Sequence, residues 1–213
     1  MIFHGYFRSS AAWRCRIAFG LKGFAPDETH FIHLRRNGGE QHTPAYHALN
    51  PQGLVPALEL PEGILTQSLA IVEWLDETQP GPRLLPVDPF LRARVRAFAL
   101  AIACDIHPLQ NLRVLDYLGR EYDQDQAGKD AWCRHWIKSG LEACEALVAP
   151  DTPFAFDDTP GLADICLVPQ MASATRFGLD TAHLSRLTAI TARCNALDAF
   201  AAAAPSRQPD FEK

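Results

Sequence analysis

The sequence predicts a two-domain protein, a small α/β layer at residues 1–79 joined through a linker at 80–90 to an all-α bundle at 91–213. Three observations carry this. Short β-prone runs and helical patterns alternate as βαβαββα over the first 80 residues. Four prolines, Pro80, Pro82, Pro86 and Pro89, then crowd a stretch that cannot continue a helix. From Leu91 onward every apolar pattern has helical spacing.

Taken in order, Ile2 to Phe7 reads as the first strand, and a helix follows it to about Lys22, where Gly23 stops it. Ser9 or Ser10 can cap that helix. Its first amide groups lack partners within the helix, so the junction favours a negatively charged ligand. Glu28 to Leu34 reads as a second strand, followed by a polar loop with Gly38-Gly39 and a short helix through Tyr46 to Leu49. Pro56 to Leu60 and Ile64 to Thr66 pair as a hairpin turning at Pro61-Glu62-Gly63. Ser68 caps a helix from Leu69 to Thr78, with Leu69, Val72 and Leu75 at helical spacing. In the second half the helices run at about 91–119, 126–148, 161–177 and 184–203, with an alanine run at 201–204 and a polar surface tail from Pro205.

Composition narrows the function classes. With 213 residues, 47% hydrophobic and 21% charged, the chain can bury a full core. A formal charge of −5 argues against a general nucleic-acid surface, while leaving room for local basic clusters that hold small acids. The start shows no signal-peptide pattern, and the longest apolar run, Ala97 to Cys104, is too short to cross a bilayer. Six cysteines without a CxxC pair suit a reduced cytoplasm and buried, inert roles. No metal-ligand spacing stands out.

Two further segments carry chemistry. Pro56 cannot complete a ladder, so it sits at a sheet edge, at the strand's first position, or in a cis bond; if cis, Val55 turns its backbone outward to pair with a bound peptide. Gln67-Ser68, at a strand end and helix start, offers amide, hydroxyl and N–H groups suited to an amino-acid carboxylate.

Arg8-Ser9-Ser10-Ala11-Ala12-Trp13-Arg14-Cys15-Arg16-Ile17-Ala18 resembles the signature of the zeta class of cytosolic glutathione transferases, whose members act as maleylacetoacetate and maleylpyruvate isomerases. Asn50 to Pro56, Gln67 to Glu73, Asp105-Ile106-His107-Pro108 with Asn111, Ala163 to Gln170 and Arg207-Gln208-Pro209 are also similar to family segments, so the resemblance spans nearly the whole chain. It departs at Ala11, where the family usually has cysteine, and at Gly161, where the family's capping box usually has Ser or Thr.

The resemblance implies a thioredoxin-like first half and a helical bundle, the cytosolic glutathione transferase fold, with a ligand cleft between them and a cytoplasmic homodimer. It implies glutathione as cofactor, held by Ser9, Ser10, Gln41, Val55, Gln67 and Ser68, with His107 and Asn111 from the helical half, and Ser9 and Ser10 at the thiol. The substrate is then a small dicarboxylate gripped by Arg8, Arg113 and Arg176, an arginine at 113 being more like the maleylpyruvate branch. A free thiol has a pKa of about 8.5, and lowering it by roughly 1.5 units takes about 2 kcal/mol. A helix N-terminus at roughly 0.3–1 kcal/mol and a serine hydrogen bond to the anion at roughly 1.5–3 kcal/mol supply that without a general base. Arg14 and Arg16 face solvent or support the ligand loop from behind, and Asp105 and Asp164 are structural.

The rivals on the same residues are a transferase that conjugates or dehalogenates small α-halo acids and a non-catalytic binding protein. A disulfide oxidoreductase is set aside, because no cysteine stands at the first helix start.

Overall fold

The computed structural model describes residues 1–212. It divides into two compact units, the first formed by residues up to Leu84 together with the chain from Ala196 onward, the second by Leu85–Asn195.

In the first unit β1 (Ile2–Gly5) leads into α1 (Ser10–Lys22), followed by β2 (Glu28–Phe31), α2 (Pro44–Leu49), the hairpin β3 (Ala57–Leu60) and β4 (Gly63–Thr66), and α3 (Ser68–Thr78). The sheet order is β2-β1-β3-β4. β1 and β2 are parallel, as a crossover helix requires, and the other pairs are antiparallel. His4 sits beside Ala57, and Ala57 beside Thr66. That register brings the exit of β1, the entry of β3 and the exit of β4 to one end of the sheet.

β1, β2 and β3 are shorter than the runs that predict them, and β4 gains Gly63. Tyr6 and Phe7 leave the ladder after Gly5 and pack with Tyr46 and Val55 in a separate buried cluster. Side-chain packing, rather than pairing, claims the end of the run. α1 closes on Gly23 at φ 62, with Phe24 N–H reaching back to Phe19 O at 2.9 Å, the left-handed stop its glycine predicts. Thr43 caps α2 through its hydroxyl and Pro44 opens it, so that helix begins two residues before Tyr46. Ser68 is the first residue of α3, not its cap; Gln67 holds that place at φ 69 and makes no side-chain capping bond.

The second unit holds α4 (Pro89–Leu100), α5 (Leu112–Glu121), α6 (Gln126–Leu147), α7 (Leu162–Arg176) and α8 (Ser185–Asn195). Its core is formed by Val95, Phe98, Ile102, Ile137, Leu141, Ile165, Leu167, Leu187 and Ile190. The single helix expected at 91–119 is broken. A π-helical turn at Ala101–Ile106 and a 3-10 turn at His107–Gln110 follow α4, and Asn111 is extended. Pro108 has no N–H to donate, which accounts for the interruption. At the start of α7, Asp164 accepts from Gly161 N–H and Ala155 N–H at 2.9 Å each, so the glycine keeps half of a capping box working. Burial pushes the Asp164 carboxyl up to about 6.

The helix expected at 184–203 is also two, α8 and α9 (Asp198–Ala203), parted by an extended Leu197. α9 belongs to the first unit, where it packs on α1. A Cβ on Gly20 would fall 3.0 Å from Ala199 Cα, so the glycine lets the backbones of α1 and α9 meet at Ala199. The tail lies on the surface, as expected, and is fastened there. Asp210 Oδ2 accepts Phe7 N–H at 2.9 Å, Phe211 meets the Phe7 ring edge-on with 5.5 Å between centroids, and Glu212 pairs with His33 and Arg36. The expected boundaries at 79, 90 and 213 thus differ from the compact units. Leu84 N–H is held by Asp76 at 2.8 Å, which docks the first part of the linker on the first unit.

No helix of the described residues is long and apolar enough to cross a membrane.

Candidate active site

At the end of the sheet where β1 exits, Ser9 is the N-cap of α1, and its Oγ accepts Ala12 N–H at 3.2 Å. Capping uses a lone pair and leaves the hydroxyl proton to donate outward. Ser10 is the first residue of α1 and is buried. Arg8 is exposed, with its guanidinium over the Phe7 ring.

The backbone before Ser9 is fixed from two sides. Arg16, one turn and a half into α1, donates to Tyr6 O at 3.3 Å, Phe7 O at 3.0 Å and Ala203 O at 3.0 Å. Asp210 takes the Phe7 N–H. Burial lowers the Arg16 pKa to about 10, and the nearby Asp210 carboxylate opposes that shift. Of the two roles open to Arg16, it takes the supporting one. Arg14 does not face solvent either. It is 2% exposed, with Nη1 donating to Ser68 Oγ at 3.3 Å.

Val55 belongs to the same cluster as Tyr6 and Phe7, and the Val55–Pro56 bond is cis, one of the three options its sequence allows. Tyr46 Oη and Asn50 Nδ2 both donate to Leu54 O, at 2.8 and 2.7 Å, and brace the approach to Val55. Gln67 is exposed and donates through Nε2 to Gln52 Oε1 at 2.9 Å. Gln41 is buried, with Nε2 on Leu34 O at 3.3 Å and Oε1 left without a hydrogen-bond partner. The first unit therefore gathers Ser9, Ser10, Val55, Gln67 and Ser68 around one end of the sheet, and Leu34 ties Gln41 to the same apolar cluster.

These groups suit an anionic peptide. The starts of α1 and α3 present amide groups with no partner inside their helices. A buried acceptor on Gln41 and a buried guanidinium without a carboxylate match the polar ends of such a ligand.

In the second unit His107 opens the 3-10 turn, and Asn111 caps α5 by accepting Arg113 N–H on Oδ1 at 3.2 Å. That turn is fastened to its neighbours by Trp132 Nε1 donating to Leu109 O and Gln110 Nε2 donating to Gln170 Oε1, both at 2.7 Å. Arg176, six residues beyond Gln170 on α7, lies exposed with its guanidinium over the Phe177 ring. Arg113 is exposed on the first turn of α5.

Sequence reasoning missed one residue outright and left another between two roles. Asp210 had no signal, being a lone acid in a polar tail 203 residues from the backbone it holds. Arg14 had a weak one. It lies one residue before Cys15 on the buried face of α1, in a helix whose residues are apolar nearly all round.

Residues 3–83 match the family model of the glutathione S-transferase N-terminal domain. A maleylpyruvate isomerase from Ralstonia sp. is 48% identical over 214 residues, covering 99% of each chain. Among solved structures, a holo maleylpyruvate isomerase described as a bacterial zeta-class glutathione S-transferase has a TM-score of 0.95 at 46% identity, covering 100% of both chains. A maleylacetoacetate isomerase from Methylobacterium extorquens AM1, with bound malonate and glutathione, has a TM-score of 0.93 at 39% identity, also covering 100% of both chains. Identity of this level along the full length shows that the chain belongs to the glutathione transferase family, in the zeta class of maleylpyruvate and maleylacetoacetate isomerases.

Proposed function

We propose that this protein is a glutathione-dependent cis–trans isomerase of maleylpyruvate or maleylacetoacetate, working as a cytoplasmic homodimer. The observation that carries the reading is Ser9, a helix cap whose oxygen is occupied by Ala12 N–H and whose proton is left for an anion. When bound, glutathione supplies a sulfur anion that adds to the conjugated double bond, allows rotation about it, and leaves again unchanged.

The chain's own part is electrostatic and geometric. Ser9 donates a hydrogen bond to the sulfur, and the start of α1 adds its positive end, together enough to hold the thiol ionised near neutral pH. Ser10 belongs to the same first turn. Val55 pairs with the peptide backbone, Gln41 offers Oε1 to a ligand N–H, and Gln67 with Ser68 receives the amino-acid end. His107 and Asn111 are the helical unit's groups for the tripeptide. Arg8, Arg113 and Arg176 take the two carboxylates of the diacid, where a planar guanidinium can grip an acid in two places. Ala11 leaves no cysteine beside Ser9, so no step uses a protein thiol there.

The test is retention on immobilised glutathione, followed by parallel assays of maleylpyruvate and maleylacetoacetate with and without glutathione. Glutathione-dependent formation of the trans isomer with no loss of thiol is the expected result. Consumption of glutathione into a stable adduct would replace the reading with a conjugating or dehalogenating transferase, and failure to bind would leave a non-catalytic protein.

A further inference from the structure

The first unit buries a positive charge that nothing in it answers. Arg14 Nε and Nη2 are buried without a hydrogen-bond partner, and the residue forms no ion pair among the described residues. A guanidinium taken out of water without a counter-charge is costly and normally avoided. This one has a single polar contact, through Nη1 to Ser68 Oγ.

Ser68 is held at both ends by α1, since Cys15 Sγ also lies 3.9 Å from Ser68 O. Because Arg14 uses a lone pair of Ser68 Oγ, the hydroxyl proton is directed away from α1 and is polarised by the charge behind it. Ser68 is the first residue of α3, so its hydroxyl belongs to the same turn as that helix's unpartnered amides, in a helix of 11 residues whose N-cap, Gln67, makes no side-chain capping bond. Donors and charge therefore converge there without any protein acceptor to receive them.

We infer that Arg14 is a positioning residue that completes a carboxylate site at the start of α3, holding the Ser68 hydroxyl as a donor and supplying the buried counter-charge for the α-carboxylate of the γ-glutamyl end of glutathione. This rests on the isomerase reading above and extends it to a residue behind the ligand. Arg14 touches the ligand only through Ser68, so its effect follows the carboxylate and not the sulfur.

Calorimetric titration of wild type, Arg14→Met and Arg14→Lys with two probes tests this, the probes being glutathione and γ-aminobutyryl-cysteinyl-glycine, which lacks only the α-carboxylate. Arg14→Met should weaken glutathione by about 10–100-fold, the range of a charge-assisted hydrogen bond, and the decarboxylated probe by less than about threefold. Arg14→Lys should fall between and, where Arg14→Met does not fold, carries the same comparison of probes. KM for glutathione should rise while kcat at saturating glutathione changes little, and the ligand-free variant should unfold at no lower temperature than wild type. Equal weakening of both probes, or of neither, overturns the inference alone. A wild type that binds neither probe overturns the isomerase reading and this inference with it.

Discussion

The starts of α1 and α5 solve the same problem with different supports. Both helices are capped by a short polar side chain, Ser9 Oγ accepting Ala12 N–H and Asn111 Oδ1 accepting Arg113 N–H. In both, the cap consumes an acceptor and leaves a donor facing outward. The start of α1 is fixed through its preceding backbone, by Arg16 on two carbonyls and by Asp210 from the far end of the chain. The start of α5 is fixed through the turn before it, by Trp132 on α6 and Gln170 on α7. On the proposed function, the junction assigned to a single atom, the sulfur, is the one whose backbone is locked, and the groups assigned to a flexible diacid are exposed arginines.

The largest expected effect is at Arg16. Arg16→Met takes a donor from three carbonyls, of which Tyr6 O keeps Ser9 N–H, and we expect a loss of about 3–5 kcal/mol in urea unfolding, with activity lost at any pH. A loss under about 1 kcal/mol would mean the two junctions are supported equally lightly.

Asp164 gives the second unit its own pH signature. Its folded pKa of about 6 lies above the unfolded value of about 3.9, so the folded chain holds the proton more tightly. This contribution is fully present below about pH 4 and is lost as pH rises through 6, a swing of about 2–3 kcal/mol. Urea midpoints between pH 4 and 7 should show that slope in wild type and lack it in Asp164→Asn.

Smaller effects separate the two caps. Ser9→Ala should cost about 1 kcal/mol of stability and move the acid limb of the kcat/KM profile up by about one pH unit or more. An unchanged limb would end the thiol-donor role of Ser9. Asn111→Ala should cost about 1 kcal/mol as well but leave that limb in place, since its donor does not serve the sulfur. Asp210→Ala, which frees Phe7 N–H alone, should cost about 1–2 kcal/mol and move the limb less than Ser9→Ala does.

Elements governed by neighbours in the chain were legible in the amino-acid order. The Ser9 cap, the Gly23 stop, the hairpin, and α6 and α7 stand within one or two residues of where periodicity and capping rules put them. The candidate residues at the ends of those elements were equally legible, because a helix start and a strand end declare themselves by residue type. The breaks at Asn111 and Leu197 were not, since helical spacing of apolar residues continues across both. Gln67 displaced Ser68 from the cap because the ends of β4 and α3 meet at a positive φ that no local rule requires.

What the chain's order determined by itself is the set of elements and the polar groups at their ends, for capping, turns and amphipathic spacing act over fewer than about eight residues. What only the tertiary structure decided is which distant group answers which. Arg14 and Arg16 are two residues apart on one helix, yet one meets three carbonyls and the other none. α9 docks on α1 only because Gly20 lets Ala199 approach, and Asp210 became a clamp only because that docking carries the tail back to Phe7. Hydrogen bonds and burial depend on separation in space, which sequence separation does not report.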